Sequence, residues 1–255
     1  MHIVRYSTPA LYTFELVVVL VVWVVVLALW RAGDRRSLAV YVIAGLYNSV
    51  IELLAQGSGV RAIPDVRLFG VLPVGYPLLP FILGFFEGGV LLLTGFAILR
   101  GLREGDRRAL RVGLGIAVGL LALIIAGALQ MRAQLAADPQ SLTLTTRALF
   151  RPGSLAILAA CYAVGLGYAF GASRTPARDR RGLLAWYAII AVVAATWYTP
   201  AFLTGGRSIG TLRNGTWALV SLPEQIAVLY GYSIVFEAAG FYLPVYVILR
   251  LCRLL

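Results

Sequence analysis

The chain alternates between long apolar stretches and short polar connections. Seven stretches have the roughly 20 apolar residues that a helix needs to cross a bilayer, and most of the charged residues lie between them. Because lipid cannot satisfy backbone polar groups, we predict that all seven stretches are α-helices. The predicted spans are 11–30, 38–56, 76–99, 110–131, 154–172, 183–204 and 225–249.

Composition agrees with this pattern and indicates a membrane protein. The 255 residues are 60% hydrophobic and 13% charged, whereas soluble domains are roughly 45–50% apolar and about 25% charged. The sequence therefore predicts an all-α bundle of seven transmembrane helices that forms a single domain over residues 1–255. The chain has no lysine, which is typical of a GC-rich bacterial genome, and we expect a bacterial plasma membrane.

The basic residues determine the expected orientation. All 22 are arginine, against 11 acidic residues, for a net charge of +11. Fourteen arginines lie in the tail and loops on the side of the C-terminus and eight on the other side, so the N-terminus is predicted to be outside and the C-terminus cytoplasmic. We interpret the arginines as topology determinants that contact membrane lipids, and we expect no nucleic-acid partner.

Two segments of the chain resemble each other. Residues 72–100 align without a gap to 222–250, with nine of 29 positions identical, among them Phe86-Glu87 and Phe236-Glu237. The match predicts two parallel three-helix units, about 8–100 and 154–253, linked by the helix at 110–131. Parallel repeats of this kind can form a binding site where they meet.

Glutamates inside apolar spans are the strongest functional signal. Glu15, Glu52, Glu87, Glu224 and Glu237 lie within or at the edge of predicted spans, where a carboxylate is costly and is rarely without a partner or a task. Glu224 follows Pro223 at the start of the last span and is expected to cap the helix there. Glu15 lies near the outer end of its span and could reach water, so its role stays open. We expect Glu52, Glu87 and Glu237 to carry the chemistry.

Neither a metal nor a cofactor is expected. The chain has one histidine, His2, and its two cysteines, Cys161 and Cys252, lack the CxxC or Cys/His spacing of a zinc site. Carboxyl groups are therefore the candidates for metal-independent catalysis.

Two spans place polar residues at helical spacing. In the second span Asn48 lies one turn before Glu52, where its amide can hold the carboxyl group. In the last span Tyr230, Ser233, Glu237 and Phe241 share a face. We predict Glu52, Glu87 and Glu237 as catalytic residues. The predicted substrate-binding residues are Asn48, Trp197, Tyr230, Ser233 and Phe241.

The seven spans, with Asn48 four residues before Glu52, resemble the integral-membrane terpene cyclases of meroterpenoid pathways. That family has an aspartate in its last helix, where this chain has Glu237, and tends to have tryptophan where this chain has Ile51. The resemblance implies a metal-independent cyclase, isomerase or lyase of terpenoid biosynthesis. Pro223-Glu224 is also similar to a Pro-Glu pair of the small membrane lycopene cyclases.

A cyclisation of this kind needs an acid, a base and groups that stabilise a cation, all in a dry cavity. We expect Glu237 to donate the proton, Glu52 to be a second acid or base, and Glu87 to support them. The lipophilic, isoprenoid substrate is expected to enter from the bilayer.

Two other classes of protein stay open. Seven helices arranged as three, one and three resemble the SWEET sugar carriers, in which case the glutamates would serve proton-coupled or cationic transport. A non-catalytic membrane subunit would instead bond a partner through its glutamates. If the chain is an enzyme, we expect a closed cavity with a lateral opening. A carrier would have gates on both sides, and a subunit would have its acidic residues on the face toward lipid. The oligomeric state is not predicted.

Overall fold

Seven helices form the body of the protein. The computed structural model describes residues 1–8, 10–63, 66–171, 175–213 and 216–255. Each of the seven is long and apolar enough to span a membrane, which confirms the predicted number of spans. The helices are α1 Leu11–Arg31, α2 Arg35–Gly57, α3 Leu78–Glu104, α4 Arg107–Ala137, α5 Pro152–Gly171, α6 Ala177–Leu203 and α7 Leu222–Leu251.

A β-sheet covers one end of the bundle, so the prediction of an all-α fold is wrong in this respect. Five antiparallel strands have the order β2-β5-β1-β6-β7, and two more form a separate hairpin, β3-β4. The strands are β1 His2–Ser7, β2 Arg61–Ala62, β3 Val66–Leu68, β4 Leu72–Val74, β5 Thr143–Ala148, β6 Arg207–Arg213 and β7 Thr216–Leu219.

The sheet joins segments that are far apart in the sequence. The N-terminal strand β1 lies between β5, which precedes α5, and β6, which follows α6. All five strands come from the N-terminus and from connections on its side of the bundle. Backbone pairing therefore ties together the ends of helices that would otherwise be held only by side-chain packing.

Short, charged turns close the opposite end. Asp34 caps α2 by accepting a hydrogen bond from the backbone N–H of Ser37, and Asp106 caps α4 through the N–H of Ala109. Arg100 on α3 forms salt bridges with both caps, at 3.0 Å from Asp34 and 2.8 Å from Asp106. One side chain thereby links the starts of two helices to the end of a third.

Helices α2 and α3 pack unusually closely at the centre of the bundle. The α3 backbone is π-helical over Gly84–Val90, and this segment lies against α2. A Cβ built on Gly84 would lie 2.5 Å from the Cα and N of Ser49, and one on Gly89 would lie 2.8 Å from the Tyr41 ring. The glycines next to Glu87 therefore permit the contact between the two helices.

The last helix, α7, also has a π-helical segment, Ala227–Ala238. Wider turns leave carbonyl groups without regular α-helical partners, and tyrosines from other helices bond two of them. The Tyr162 hydroxyl donates to Phe236 O at 2.8 Å, and the Tyr187 hydroxyl donates to Val235 O at 2.6 Å. Glu87 and Glu237 thus both lie in π-helical segments, a feature frequent at functional sites.

Pro244 lies where α7 is interrupted. The α-helix ends at Phe241 and resumes at Leu243, with Tyr242 between the two parts. The Tyr47 hydroxyl donates to Phe241 O at 2.7 Å, and the Trp186 Nε1–H donates to Tyr242 O at 3.1 Å. Side chains of α2 and α6 therefore satisfy the carbonyls near the break.

We expect Gly84→Ala to lower the unfolding temperature in mild detergent, by an amount equivalent to about 1–3 kcal/mol of overpacking. The added methyl group would meet the Ser49 backbone, which cannot yield as a flexible side chain can. Gly119→Ala on α4 is the matched control, since nothing lies within 4 Å of its Cβ position. If both variants unfold at the wild-type temperature, the close approach of α2 and α3 is wrong.

Candidate functional site

Four arginines project from one face of the five-stranded sheet. In the antiparallel register Arg5 is paired with Arg207, and Arg61 with Arg147. Arg147 also pairs with Ile3, two residues from Arg5. Directly paired residues and residues two apart point to the same side of a sheet, so all four guanidinium groups lie on the face toward the helices.

Like charges paired across strands are destabilising unless other charges neutralise them. Four glutamates on the helices do so here. Arg61 lies 2.6 Å from Glu52 on α2 and 2.9 Å from Glu87 on α3. A second guanidinium–carboxylate contact of 3.1 Å makes its pairing with Glu87 bidentate. One sheet side chain therefore neutralises carboxylates from two helices.

The other two glutamates have sheet partners as well. Arg5 lies 3.5 Å from Glu15 on α1 and 3.9 Å from Glu87. Arg147 forms a salt bridge with Glu237 on α7. Glu15, Glu52 and Glu237 are at most 7% exposed, so these contacts are not surface ion pairs. We call these four arginines and four glutamates the charge cluster.

The carboxylates also act on the arginines. Burial works against the charge of Arg61, but Glu52 and Glu87 outweigh it and hold the pKa of Arg61 well above its ordinary value. Burial likewise works against the charge of Arg147, and Glu237 raises the pKa of Arg147. Both guanidinium groups are therefore fixed positive charges.

Arg207 differs from the other three. It is 7% exposed, and its guanidinium lies over the Tyr198 ring, 3.8 Å from the centroid. Within the part of the chain that the structure describes it makes no salt bridge, and its Nε has no hydrogen-bond partner. Burial lowers the pKa of Arg207 to about 10, with Arg5 and Arg147 acting in the same direction. It is still protonated at neutral pH.

A cavity of about 770 Å³ lies directly beneath the sheet. Such a volume is within the range of small-molecule sites, about 300–1,000 Å³. One part of its lining is charged and the rest is largely apolar. The charged residues of the lining are Arg5, Glu15, Glu52, Arg61, Glu87, Arg147, Arg151, Arg207 and Glu237.

The apolar part of the lining reaches the outer surface of the bundle. Leu54 on α2 and Leu123 on α4 both line the cavity, yet they are 51% and 48% exposed. Exposed side chains of membrane spans face lipid. The cavity therefore reaches the lipid-facing side of the helices.

Toward the opposite end the cavity stops at Leu91 and Ala194. Below them the helices are packed around large buried side chains, including Tyr41, Trp186 and Tyr246, each with 0% exposure. The described helices therefore surround a cavity that is charged at the sheet and closed by packed side chains at the opposite end.

Several buried polar atoms of the lining have no hydrogen-bond partner among the residues that the structure describes. An unsatisfied buried polar group costs roughly 1–3 kcal/mol, so a concentration of them at one cavity indicates that the protein has polar groups to offer a ligand or water. Six such atoms belong to lining residues: Glu15 Oε2, Asn48 Nδ2, Trp197 Nε1, Arg207 Nε, Ser233 Oγ and Glu237 Oε2.

The structure brings together most of the residues predicted from the sequence. Glu52, Glu87 and Glu237 line one cavity, together with Asn48, Trp197, Ser233 and Phe241. Tyr230 lies elsewhere, because its hydroxyl is 2.9 Å from that of Thr199 and its ring packs edge-on against Phe202.

The predicted bond between Asn48 and Glu52 is not formed. Asn48 Oδ1 instead accepts a hydrogen bond of 3.0 Å from the Tyr242 hydroxyl. Glu52 is held by Arg61 and by Gln56 Nε2, at 3.3 Å. The carboxyl group bonds a stronger, charged donor from the sheet, which the helical spacing alone could not reveal.

The interpretation of all arginines as topology and headgroup residues is wrong for the four in the charge cluster. A signal was present in the sequence: Arg5 follows Ile3-Val4, Arg147 follows Thr145-Thr146, and Ile209 lies two residues after Arg207, and such β-branched residues are enriched in strands. The partner of Glu237 was not predicted either: the structure pairs it with Arg147 in a salt bridge.

Chemistry with a metal ion was not expected from the sequence. Among the described residues, no group of three or more histidine, cysteine, aspartate or glutamate side chains has the arrangement of a metal site. The carboxylates of the charge cluster contact guanidinium groups instead, with Glu52 and Glu87 sharing Arg61.

Comparison of the chain with protein-family models, with curated proteins and with solved structures gives no match. The resemblance to membrane terpene cyclases therefore stays a prediction, and the functional argument depends on the geometry of the site.

We expect Arg61→Met to lower the free energy of unfolding by about 3–5 kcal/mol, because it leaves two carboxylates without their shared partner. The measurement is unfolding of the detergent-solubilised chain. Arg36→Met is the control: Arg36 pairs with Glu104 at 3.2 Å, but the two side chains are 45% and 37% exposed, so a loss of at most about 1 kcal/mol is expected. Equal effects of the two variants would contradict a buried cluster.

Proposed function

We propose that the chain is an integral membrane enzyme that performs acid–base chemistry on a lipophilic, isoprenoid-type substrate. The observation that carries this proposal is a cavity that joins lipid-facing apolar residues to a buried cluster of carboxylates. An isomerisation or cyclisation is the reaction class that such a site supports best.

The shape of the cavity supports a substrate taken from the bilayer. A lipophilic molecule entering beside Leu54 or Leu123 would keep its chain in apolar surroundings. Its reacting end would then meet Glu52, Glu87 and Glu237. Closure of the floor by packed aromatic side chains keeps the reacting end away from water on that side.

The carboxylates support proton transfer without a cofactor. One carboxyl group in its protonated form donates a proton to a substrate carbon, which leaves a carboxylate and a carbocation. A carboxylate then takes a proton from another carbon of the cation, so the overall reaction is an isomerisation with no net gain or loss of protons. Glu237 and Glu52 are the candidates for these steps, and the Trp197 and Phe86 rings, which line the cavity with their centroids 5.9 Å apart, can stabilise the cation at their faces.

The geometry favours an enzyme over the two other classes of protein. A carrier needs access from both sides, whereas the described part of this cavity ends above a packed core. A subunit that bonds a partner would expose its acids to lipid, whereas Glu15, Glu52 and Glu237 are buried.

By the distribution of arginines, the sheet end faces outward and the C-terminus is cytoplasmic. The match of 72–100 to 222–250 supports a duplicated architecture.

Product analysis with a panel of polyprenyl substrates tests this function. We expect conversion by membranes that contain the wild-type chain, and a loss of about 10²–10⁴-fold in rate for Glu52→Gln and Glu237→Gln, the range for removal of a general acid or base. Glu104→Gln, in the exposed pair at the other end of the bundle, is the control and is expected to retain the wild-type rate.

Two results would contradict the proposal. If both cavity variants convert substrate at the wild-type rate, the assignment of Glu52 and Glu237 is wrong. If no substrate of the panel is converted, while vesicles show uptake driven by a pH gradient, the chain is a carrier.

A further inference from the structure

Arg207 is a buried cation that the described residues do not neutralise. Arg5, Arg61 and Arg147 each have a carboxylate within salt-bridge distance, whereas Arg207 has only the face of Tyr198. Burying a charge is costly unless an opposite charge and hydrogen bonds compensate it. A guanidinium that is 7% exposed and borders a cavity is therefore a candidate to bind an anion.

The surroundings of Arg207 suit an anion with several oxygen atoms. Its strand partner is Arg5, and Arg147 borders the same space from β5. A smaller cavity of about 30 Å³ continues between these side chains and the buried Thr145. Guanidinium groups bind phosphate through paired N–H donors, so two or three of them at one end of a cavity provide the donors that a phosphate group uses.

The formal charges of the residues that line the cavity also favour an anionic ligand. Five arginines and four glutamates line the main cavity, so its formal charge is +1 when all of them are ionised. Arg5, Arg61 and Arg147 contact all four carboxylates. The two lining arginines without a carboxylate partner among the described residues are Arg207 and Arg151, and Arg151 bonds the carbonyl of Ser58 at 3.3 Å. A phosphate monoester, with a charge of about −1.5 to −2 at pH 7, offsets this surplus.

We propose that Arg207, with Arg5 and Arg147, binds a phosphate group on a lipophilic chain, so that the ligand of the cavity is an anionic amphiphile. The phosphate lies against the sheet and the apolar chain extends toward Leu54 and Leu123. This inference deepens the proposed function by naming the polar end of its substrate. It accounts for the one charged residue of the cluster that has no carboxylate partner within the described residues.

Ligand binding to the full chain, purified in an uncharged detergent, tests the inference without any turnover. The probes are farnesyl monophosphate, farnesol and inorganic phosphate, and the readout is the dissociation constant from the concentration dependence of the unfolding temperature. We expect farnesyl monophosphate to bind at least about tenfold more tightly than farnesol. Inorganic phosphate is expected to bind more weakly than farnesyl monophosphate, because it makes no use of the apolar lining.

The variant Arg207→Gln is expected to reduce the preference for farnesyl monophosphate over farnesol to about one. The control Arg213→Gln lies at the exposed end of the same strand and is expected to keep the preference. If Arg207→Gln does not fold, Arg207→Lys provides the test: an intermediate preference is expected, since it keeps the charge but loses the paired donors. A full preference in the folded Gln variant, or an unchanged one in the Lys variant, would overturn the inference.

Further arms of the experiment identify the source of the phosphate. Displacement of farnesyl monophosphate by phosphatidylglycerol, lost in the Arg207 variant, would support the inference with a bilayer lipid as the ligand. Equal affinity for farnesyl monophosphate and inorganic phosphate would contradict it, because the cavity would then contribute nothing.

Failure of this inference is distinguishable from failure of the proposed function. If Glu52→Gln and Glu237→Gln leave conversion intact while the phosphate preference still depends on Arg207, the proposed function fails and the anion site stands. If conversion needs the glutamates but farnesol binds as well as farnesyl monophosphate, only the anion site is wrong.

Discussion

Salt bridges between the sheet and the helices hold the functional end of this protein together. Four arginines on one sheet face would repel each other, and four glutamates in apolar spans would be too costly to bury alone. Placed against each other, the two sets offset most of both costs. The exchange is favourable only where three of the strand arginines reach the glutamates of α1, α2, α3 and α7, so the charges specify where the sheet docks.

The cavity follows from the same constraint. Charged side chains that meet between a sheet and a bundle keep the helix ends apart, whereas the glycine contacts of α3 with Ser49 and Tyr41 bring α2 and α3 together in the middle. The cavity that remains is lined by charged residues next to the sheet and by apolar residues on the side that is open to lipid. The π-helical segments of α3 and α7 include Glu87 and Glu237, and the break at Tyr242 lies five residues beyond Glu237.

The spans were predictable because hydrophobicity and helix length are local properties. That Glu52, Glu87 and Glu237 face the interior and have partners there followed from the cost of a carboxylate in lipid. The sheet was not predictable, because its strands pair residues as distant in the sequence as Arg5 and Arg207. In addition, the sequence around an arginine in a short loop does not indicate whether its side chain faces water or the interior. Asn48 shows the limit within one helix: spacing placed it beside Glu52, but Tyr242, a residue 194 positions away, bonds its amide.

The most direct test of the docking of the sheet is the coupling between Arg147 and Glu237, a strand residue and a helix residue joined by one salt bridge. A double-mutant cycle with Arg147→Met, Glu237→Gln and the double variant measures it from the free energy of unfolding. We expect the double variant to be less destabilised than the sum of the single variants by at least about 1 kcal/mol. If the destabilisations of the two single variants add to that of the double variant within about 0.5 kcal/mol, the two residues do not interact. The sheet would then not be held on the helices by neutralisation of their carboxylates.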